Sequence, residues 1–180
     1  MANMEREPIL SARDVEISFS LRGKKLNAIR RCSLDLYQGE TLAIVGESGS
    51  GKSVFTKSFL GMLDANGSIT GGSILFEGKD LAKWNSRDLS KRLAILTQSN
   101  NIQMKLTVRE LVSFGRFPYC QGRLQEEDRR KVDEALAYME LEAIADQFID
   151  ELSGGQRQRA MIAMVIAQDT DYILLDEPTN

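Results

Sequence analysis

Apolar residues nearly alternate with polar ones through the first third of the chain. From Ile9 to Ser20 they fall at Leu10, Ala12, Val15, Ile17 and Phe19, which predicts a strand with one slip. Arg22-Gly23-Lys24-Lys25 reads as a turn. Leu26 to Leu36 reads as a returning pair of strands, broken by the polar Arg30-Arg31. Gln38-Gly39-Glu40 turns into Thr41–Val45, an unbroken run that predicts a buried strand, and Val54–Leu63 predicts a helix. Asn66-Gly67 and Gly71-Gly72 are turn signals around Ser68–Thr70, and Ser73–Phe76 reads as a short strand closed by Glu77–Asp80. The first half therefore predicts an antiparallel β layer around one strand–turn–helix unit.

The pattern then changes. Ser86–Lys91 reads as a short helix and Leu93–Thr97 as an apolar strand ending at Gln98. Thr107-Val-Arg-Glu110 is a capping box that opens a helix. Phe114, Phe117, Pro118 and Tyr119 form an aromatic group beside Gly115 and Gly122. Glu126 to Ile144 is strongly helical, with Val132, Leu136, Met139 and Ala143 on one stripe. Tyr172–Leu175 is a second short apolar run, predicting a buried strand that ends in Asp176-Glu177. Residues 101–165 thus read as a helical subdomain inserted between two sheet strands. The fold class expected is α/β.

Composition narrows the function. The chain has 180 residues, with 42% hydrophobic and 27% charged, enough for one domain with a sizeable core. Its net charge of −3 gives no basic footprint for nucleic acid or an anionic lipid surface. No apolar run approaches the length of a membrane span, and no charged-then-apolar leader opens the chain. Cys32 and Cys120 lie far apart, without metal-ligand spacing, and read as free thiols of a reducing compartment. The chain contains no histidine.

Candidate chemistry centres on Gly46-Glu47-Ser48-Gly49-Ser50-Gly51-Lys52-Ser53, which matches G-x-x-x-x-G-K-[ST] between an expected strand and an expected helix. Gly46, Gly49 and Gly51 allow the backbone to curl with N–H groups inward, where a side chain would collide with phosphates. The helix dipole, the charge of Lys52 and the hydroxyl of Ser53 would favour phosphate oxygens and a magnesium ion. Leu152-Ser153-Gly154-Gly155-Gln156 opens another helix, with Ser153 as N-cap and two glycines exposing backbone N–H groups, a second surface suited to phosphate. Asp176-Glu177 at a strand end could hold magnesium through water and polarise an attacking water, respectively. Gln98, at another strand end, could reach the metal or that water. Phe19, at the end of the first strand, could stack on adenine or simply pack as an edge aromatic.

The order P-loop, Gln98, Leu152-Ser-Gly-Gly-Gln156, Asp176-Glu177-Pro178-Thr179 resembles the ATP-binding subunits of ABC transporters along essentially the whole chain. That resemblance implies a P-loop ATPase core with an N-terminal antiparallel β subdomain and an inserted helical subdomain. The chain would be one incomplete ATP-binding domain, 1–180. Residues 9–98 would form the β layer and P-loop core, 101–165 the helical subdomain, and 166–180 the return to the core. It implies ATP and Mg2+ as ligands, with Ser53, Gln98 and Asp176 on the metal and Glu177, Gln98 and Lys52 serving hydrolysis. It further implies a head-to-tail dimer with a second ATP-binding subunit, in which Ser153, Gly154, Gly155 and Gln156 cap the nucleotide of the partner. Transmembrane permease subunits would dock near Phe114–Tyr119, placing the protein at the cytoplasmic face of the membrane. A nucleotide-binding module without turnover and a soluble ABC ATPase are the competing readings.

Residues 9–84 resemble oligopeptide or dipeptide importer ATPases, notably at Gly46–Val54 and Gly71–Gly78. Residues from 87 onward resemble ferric-siderophore importer ATPases, at Lys91–Asn100, Leu106–Tyr119 and Ile162–Asp171. The two resemblances meet near Trp84, so the chain reads as a chimera, natural, engineered or an assembly artefact; if both halves are genuine, partner choice should follow the second. The resemblance also implies, beyond Asn180, a strand that lies between the P-loop strand and the acidic strand and ends in a histidine at the γ-phosphate. Without that strand the expectation is a 180-residue piece that is unstable alone and lacks steady turnover.

Overall fold

The computed structural model describes residues 6–96, 105–120 and 122–176. The chain divides into two compact units, Met1–Ser86 and Arg87–Asn180.

The first unit is built on a four-stranded antiparallel sheet. Its strands are β1 (Leu10–Leu21), β2 (Lys24–Leu36), β3 (Gly67–Phe76) and β4 (Lys79–Asp80), in the order β2-β1-β3-β4. The slip expected in β1 is present as a bulge: register shifts fall between Ala12 and Val15, and Asp14 and Arg31 take positive φ. Two sequence expectations are corrected at these irregularities. Arg30-Arg31 does not break β2: the pair lies opposite Glu16 at a second register shift, between the pairs Val15–Cys32 and Ile17–Ile29, and the ladder continues on both sides. Gly71-Gly72 is not a turn but part of β3. Gly72 has φ +76°, and the carbonyl oxygens of Arg13 and Asp14 occupy the space a side chain would need.

Helix α1 (Lys52–Ser58) follows the glycine-rich loop and is shorter than Val54–Leu63 suggests. It ends because Gly61 turns to φ +65° and Met62 N–H donates back to the Lys57 carbonyl, a glycine-terminated C-cap. Phe55 and Phe59 meet edge to face at 4.8 Å and are buried with Val15, Ile17, Ile74 and Phe76.

Thr41–Val45 departs most from expectation. It is not a strand, and Val45 is 89% exposed. A buried parallel strand needs hydrogen-bonding neighbours on its sides, and no described strand pairs with this run.

The second unit comprises α2 (Ser86–Ser90), β5 (Leu93–Leu96), α3 (Val108–Ser113), α4 (Phe117–Cys120), α5 (Glu126–Tyr138), α6 (Gly154–Ala167) and β6 (Tyr172–Leu175). Strands β5 and β6 pair in parallel with the helices between them in sequence, since a parallel pair needs a long connection to cross from one strand end to the other strand's start. β6 is not buried, as its apolar content suggested: Ile173 and Leu175 are exposed on its outer side. The capping box at Thr107 forms as expected, with Thr107 Oγ1 accepting from Glu110 N–H and Glu110 accepting from Thr107 N–H at 2.8 Å. α5 stops at Tyr138 because Glu140 adopts φ +56°, so Met139 and Ala143 fall beyond the helix. Val108, Leu111, Val112, Val132, Leu136 and Ala163 make the core between α3, α5 and α6.

Candidate functional site

In the first unit two glycines of the loop from Gly46 to Lys52 bend the backbone in a way that their lack of a side chain permits. Gly49 and Gly51 take φ +78° and +96°, a region costly for residues with a Cβ. Ser50 N–H donates to the Glu47 carbonyl at 3.2 Å and closes a turn over residues 47–50, with Ser48 exposed at its tip. A Cβ at Gly46 would lie 2.9 Å from Ser50 Oγ, inside the concave side of the loop. Lys52 reaches into that same concavity: its Nζ donates to the carbonyls of Gly46 at 2.7 Å and Glu47 at 2.9 Å. An ammonium held in a glycine-rich turn by two backbone carbonyls is a charge suited to polyphosphate oxygens once it leaves those carbonyls. Ser53 sits half-buried in the first turn of α1.

Two residues behind this loop carry no sequence signal. Gly51 lies against β2 so closely that a Cβ there would be 2.7 Å from Ile29 Cδ1 and 3.2 Å from the Ala28 carbonyl oxygen. Ala28 is the extra residue at the third register shift of the β1–β2 pair, between the pairs Ile17–Ile29 and Ser18–Asn27. An alternating strand pattern shows neither the bulge nor what it faces.

Phe19 is half-buried on β1 opposite Gly67, and its ring lies over that glycine: a Cβ at Gly67 would be 2.6 Å from Phe19 Cε1. One ring face is therefore taken by the β3 backbone.

In the second unit Ser153 caps α6. Its Oγ accepts from Gln156 N–H at 3.3 Å, and Gln156 Oε1 accepts from Ser153 N–H at 3.0 Å. Gly154 and Gly155 have open space where a Cβ would stand, and neither takes positive φ. Among the described residues nothing crowds either position. Arg157 holds this end of the helix, donating from Nε and Nη2 to the Ile149 carbonyl at 3.2 and 2.9 Å. Asp176 follows β6, is buried, and its N–H donates to the Leu96 carbonyl at 2.9 Å, which carries the β5–β6 ladder to the strand end. Gln98 and Glu177 lie outside the described residues.

The aromatic group divides into two faces. Phe114 and Phe117 are exposed, whereas Gly115 and Arg116 between them are buried. Arg116 is a site the sequence reading missed. Its Nε donates to Asp128 Oδ1 at 3.0 Å, its Nη1 donates to the Ala167 carbonyl at 2.9 Å, and its guanidinium stacks 4.0 Å from the Tyr119 ring. Burial raises the Tyr119 phenol above its ordinary pKa, and nearby Arg116 opposes that shift. No described helix is long and apolar enough to cross a membrane.

A family model described as ABC transporter matches residues 29–180. The petrobactin import ATP-binding protein YclP of Bacillus subtilis (strain 168) is 48% identical over 152 residues, covering 84% of this chain and 59% of that protein. The oligopeptide transport ATP-binding protein AmiE of Streptococcus pneumoniae is 38% identical over 189 residues, covering 98% of this chain and 52% of that protein. The chain thus spans a little over half the length of these relatives. A solved dimeric ATP-binding cassette in a post-hydrolysis state, bound to ADP and Pi, aligns with TM-score 0.79 at 29% identity, covering 94% of this chain and 74% of that one. An inward-facing putative metal-chelate type ABC transporter aligns with TM-score 0.74 at 26% identity, over 96% of this chain and 62% of that one. With the glycine-rich loop that holds Lys52, the serine-capped glycine pair and this match over most of its length, the chain belongs to the ABC transporter family, in its ATP-binding cassette.

Proposed function

We propose that this chain is the nucleotide-handling part of a subunit that binds and hydrolyses ATP to energise an importer, for ferric-siderophore or related iron complexes, or for oligopeptides. The observation that carries the reading is Lys52 Nζ lodged among the Gly46 and Glu47 carbonyls, within a loop whose glycines hold positive φ. Lys52 would release those carbonyls and take the outer phosphates of ATP. The backbone N–H groups of residues 46–51 would turn to the remaining phosphate oxygens, Ser50 N–H leaving the Glu47 carbonyl to do so, and Phe19 would offer the adenine its free face.

Ser53, Asp176 and Gln98 would hold Mg2+, which supplies neutralising charge at the phosphates. Glu177 would accept a proton from the attacking water, and Gln98 would orient that water. Ser153 and the open N–H groups of Gly154 and Gly155 would close over the nucleotide of a second ATP-binding subunit, with Gln156 fixing the cap. The open space beside both glycines, with nothing within 4 Å of where a Cβ would stand, supports an outside occupant. The exposed Phe114 and Phe117 would meet a transmembrane permease at the cytoplasmic face of the membrane.

The test is Glu177→Gln in the full-length protein. The variant should bind Mg-ATP with near wild-type affinity, hydrolyse it at least a hundredfold more slowly, on the order of the loss when one catalytic group is removed, and persist as a dimer in ATP. Undiminished turnover in the variant would show that Glu177 is not the base; a wild type without Mg-ATP affinity would end the reading.

A further inference from the structure

We propose that Arg116 is a positioning residue: it fastens the exposed Phe114–Tyr119 segment to the carboxyl end of α6, so that a displacement of that segment carries the Ser153–Gln156 tip with it. The inference rests on the functional reading above and adds a route through the second unit.

Three observations place the joint. Arg116 is 4% exposed and Asp128 5%, so their ion pair is shielded from water and salt. Asp128 is itself fixed by accepting from Gln125 N–H at 3.0 Å, at the first turn of α5. The second guanidinium arm takes the carbonyl of Ala167, one of the terminal carbonyls that α6 leaves without a helical partner. A planar fork serves both partners at once, which a lysine ammonium does not reproduce.

Gly115 closes the joint from the neighbouring position. A Cβ there would overlap the Met164 carbonyl oxygen and lie 3.1 Å from Gln168 N, so the segment's backbone rides directly on the last turn of α6. Arg87 clamps the other side, donating to the Pro118 and Tyr119 carbonyls at 2.7 and 3.1 Å, and the Tyr119 hydroxyl donates to the Asp169 carbonyl at 3.4 Å. The segment therefore has a bare outer face and an inner face keyed to one helix end.

α6 has 14 residues, so its two ends are separated by roughly 20 Å of continuous hydrogen-bonded helix. Arg157 fixes the far end to the Ile149 carbonyl. A helix pinned at both ends moves as a body, and load applied at Phe114 and Phe117 reaches the tip through Arg116 and Gly115.

The experiment uses the full-length subunit, alone and with its permease in proteoliposomes, titrated with Mg-ATP. Three variants are compared: Arg116→Lys, Gly115→Ala, and Arg116→Gln combined with Asp128→Asn, which removes both buried charges together. Each should lower the permease-dependent rise in kcat roughly two- to thirtyfold, with KM for ATP within about twofold of wild type and permease copurification retained. The proposal is overturned if the folded variants keep the full rise, or if the neutral pair restores it. It is equally overturned if all three lose folded protein in step with activity, since Arg116 would then serve stability alone. Absence of Mg-ATP turnover in the wild-type arm would instead refute the functional reading, before any variant is scored.

Discussion

Gly51→Ala is the sharpest test of the phosphate loop. At φ +96° an L-residue is strained by roughly 1–3 kcal/mol. The added methyl would also stand 2.7 Å from Ile29 Cδ1 and 3.2 Å from the Ala28 carbonyl oxygen. The first neighbour is the end of a flexible side chain and can rotate away. The second is backbone, at a bulge between two paired positions of β2, and gives way only if the strand shifts. The loop therefore escapes by changing its own conformation, and its fit to phosphate is lost.

If the strain is released only by leaving the binding-competent shape, affinity for Mg-ADP falls by the same free energy, roughly five- to a hundredfold. Isothermal titration of the full-length protein measures it. Gly49→Ala is the internal control: at φ +78° with nothing within 4 Å, it carries backbone strain without a clash, and it should sit at the mild end. Adding Ile29→Val to Gly51→Ala removes the nearest atom and should recover part of the loss, by less than about tenfold, since the φ strain remains. Wild-type affinity in Gly51→Ala, or a larger loss in Gly49→Ala, would refute this account.

Asp128→Ala leaves the Arg116 guanidinium buried without its carboxylate and should cost about 3–5 kcal/mol in urea unfolding, more than the neutral Arg116→Gln, Asp128→Asn pair. Thr107→Ala removes the N-cap of α3 and should cost about 1 kcal/mol by the same measurement. The Glu110 carboxyl is held below its ordinary pKa of 4.5, first by Thr107 N–H and then by the Thr107 hydroxyl. Its contribution is present above that unfolded value and is lost as pH falls through the lower folded one, so unfolding followed from pH 6 to about 3 should show a shallower acid limb in Thr107→Ala.

What was legible in the sequence was local. Thr107 and Glu110, or Ser153 and Gln156, stand three residues apart, and their side chains satisfy each other's backbone groups whatever else the chain does. The glycines at 49 and 51 were legible because a positive φ leaves a mark on residue choice at that position alone. Alternation located β1 and even its slip. The two glycines at 71 and 72, however, read as a turn, because a bulge and a turn ask for the same residue and differ only in the partner strand. Arg116 was illegible for a related reason. A charged residue between exposed aromatics reads as surface, and only contacts 12 and 51 residues away turn it inward.

Thr41–Val45 and β6 extend that logic to the core. Apolar composition states that a run is to be covered, and both runs carry it: Val45, Ile173 and Leu175 are among the most exposed large hydrophobic residues described. What composition leaves open is the identity of the cover, because a strand's burial is a property of its neighbours. β5 and β6 became strands by supplying each other's backbone bonds across the 75 residues that separate Leu96 from Tyr172. Thr41–Val45, equally apolar, has no such partner among the described residues and stays out of any sheet. Strand formation here follows hydrogen-bond pairing, with hydrophobicity setting only which surface is worth covering.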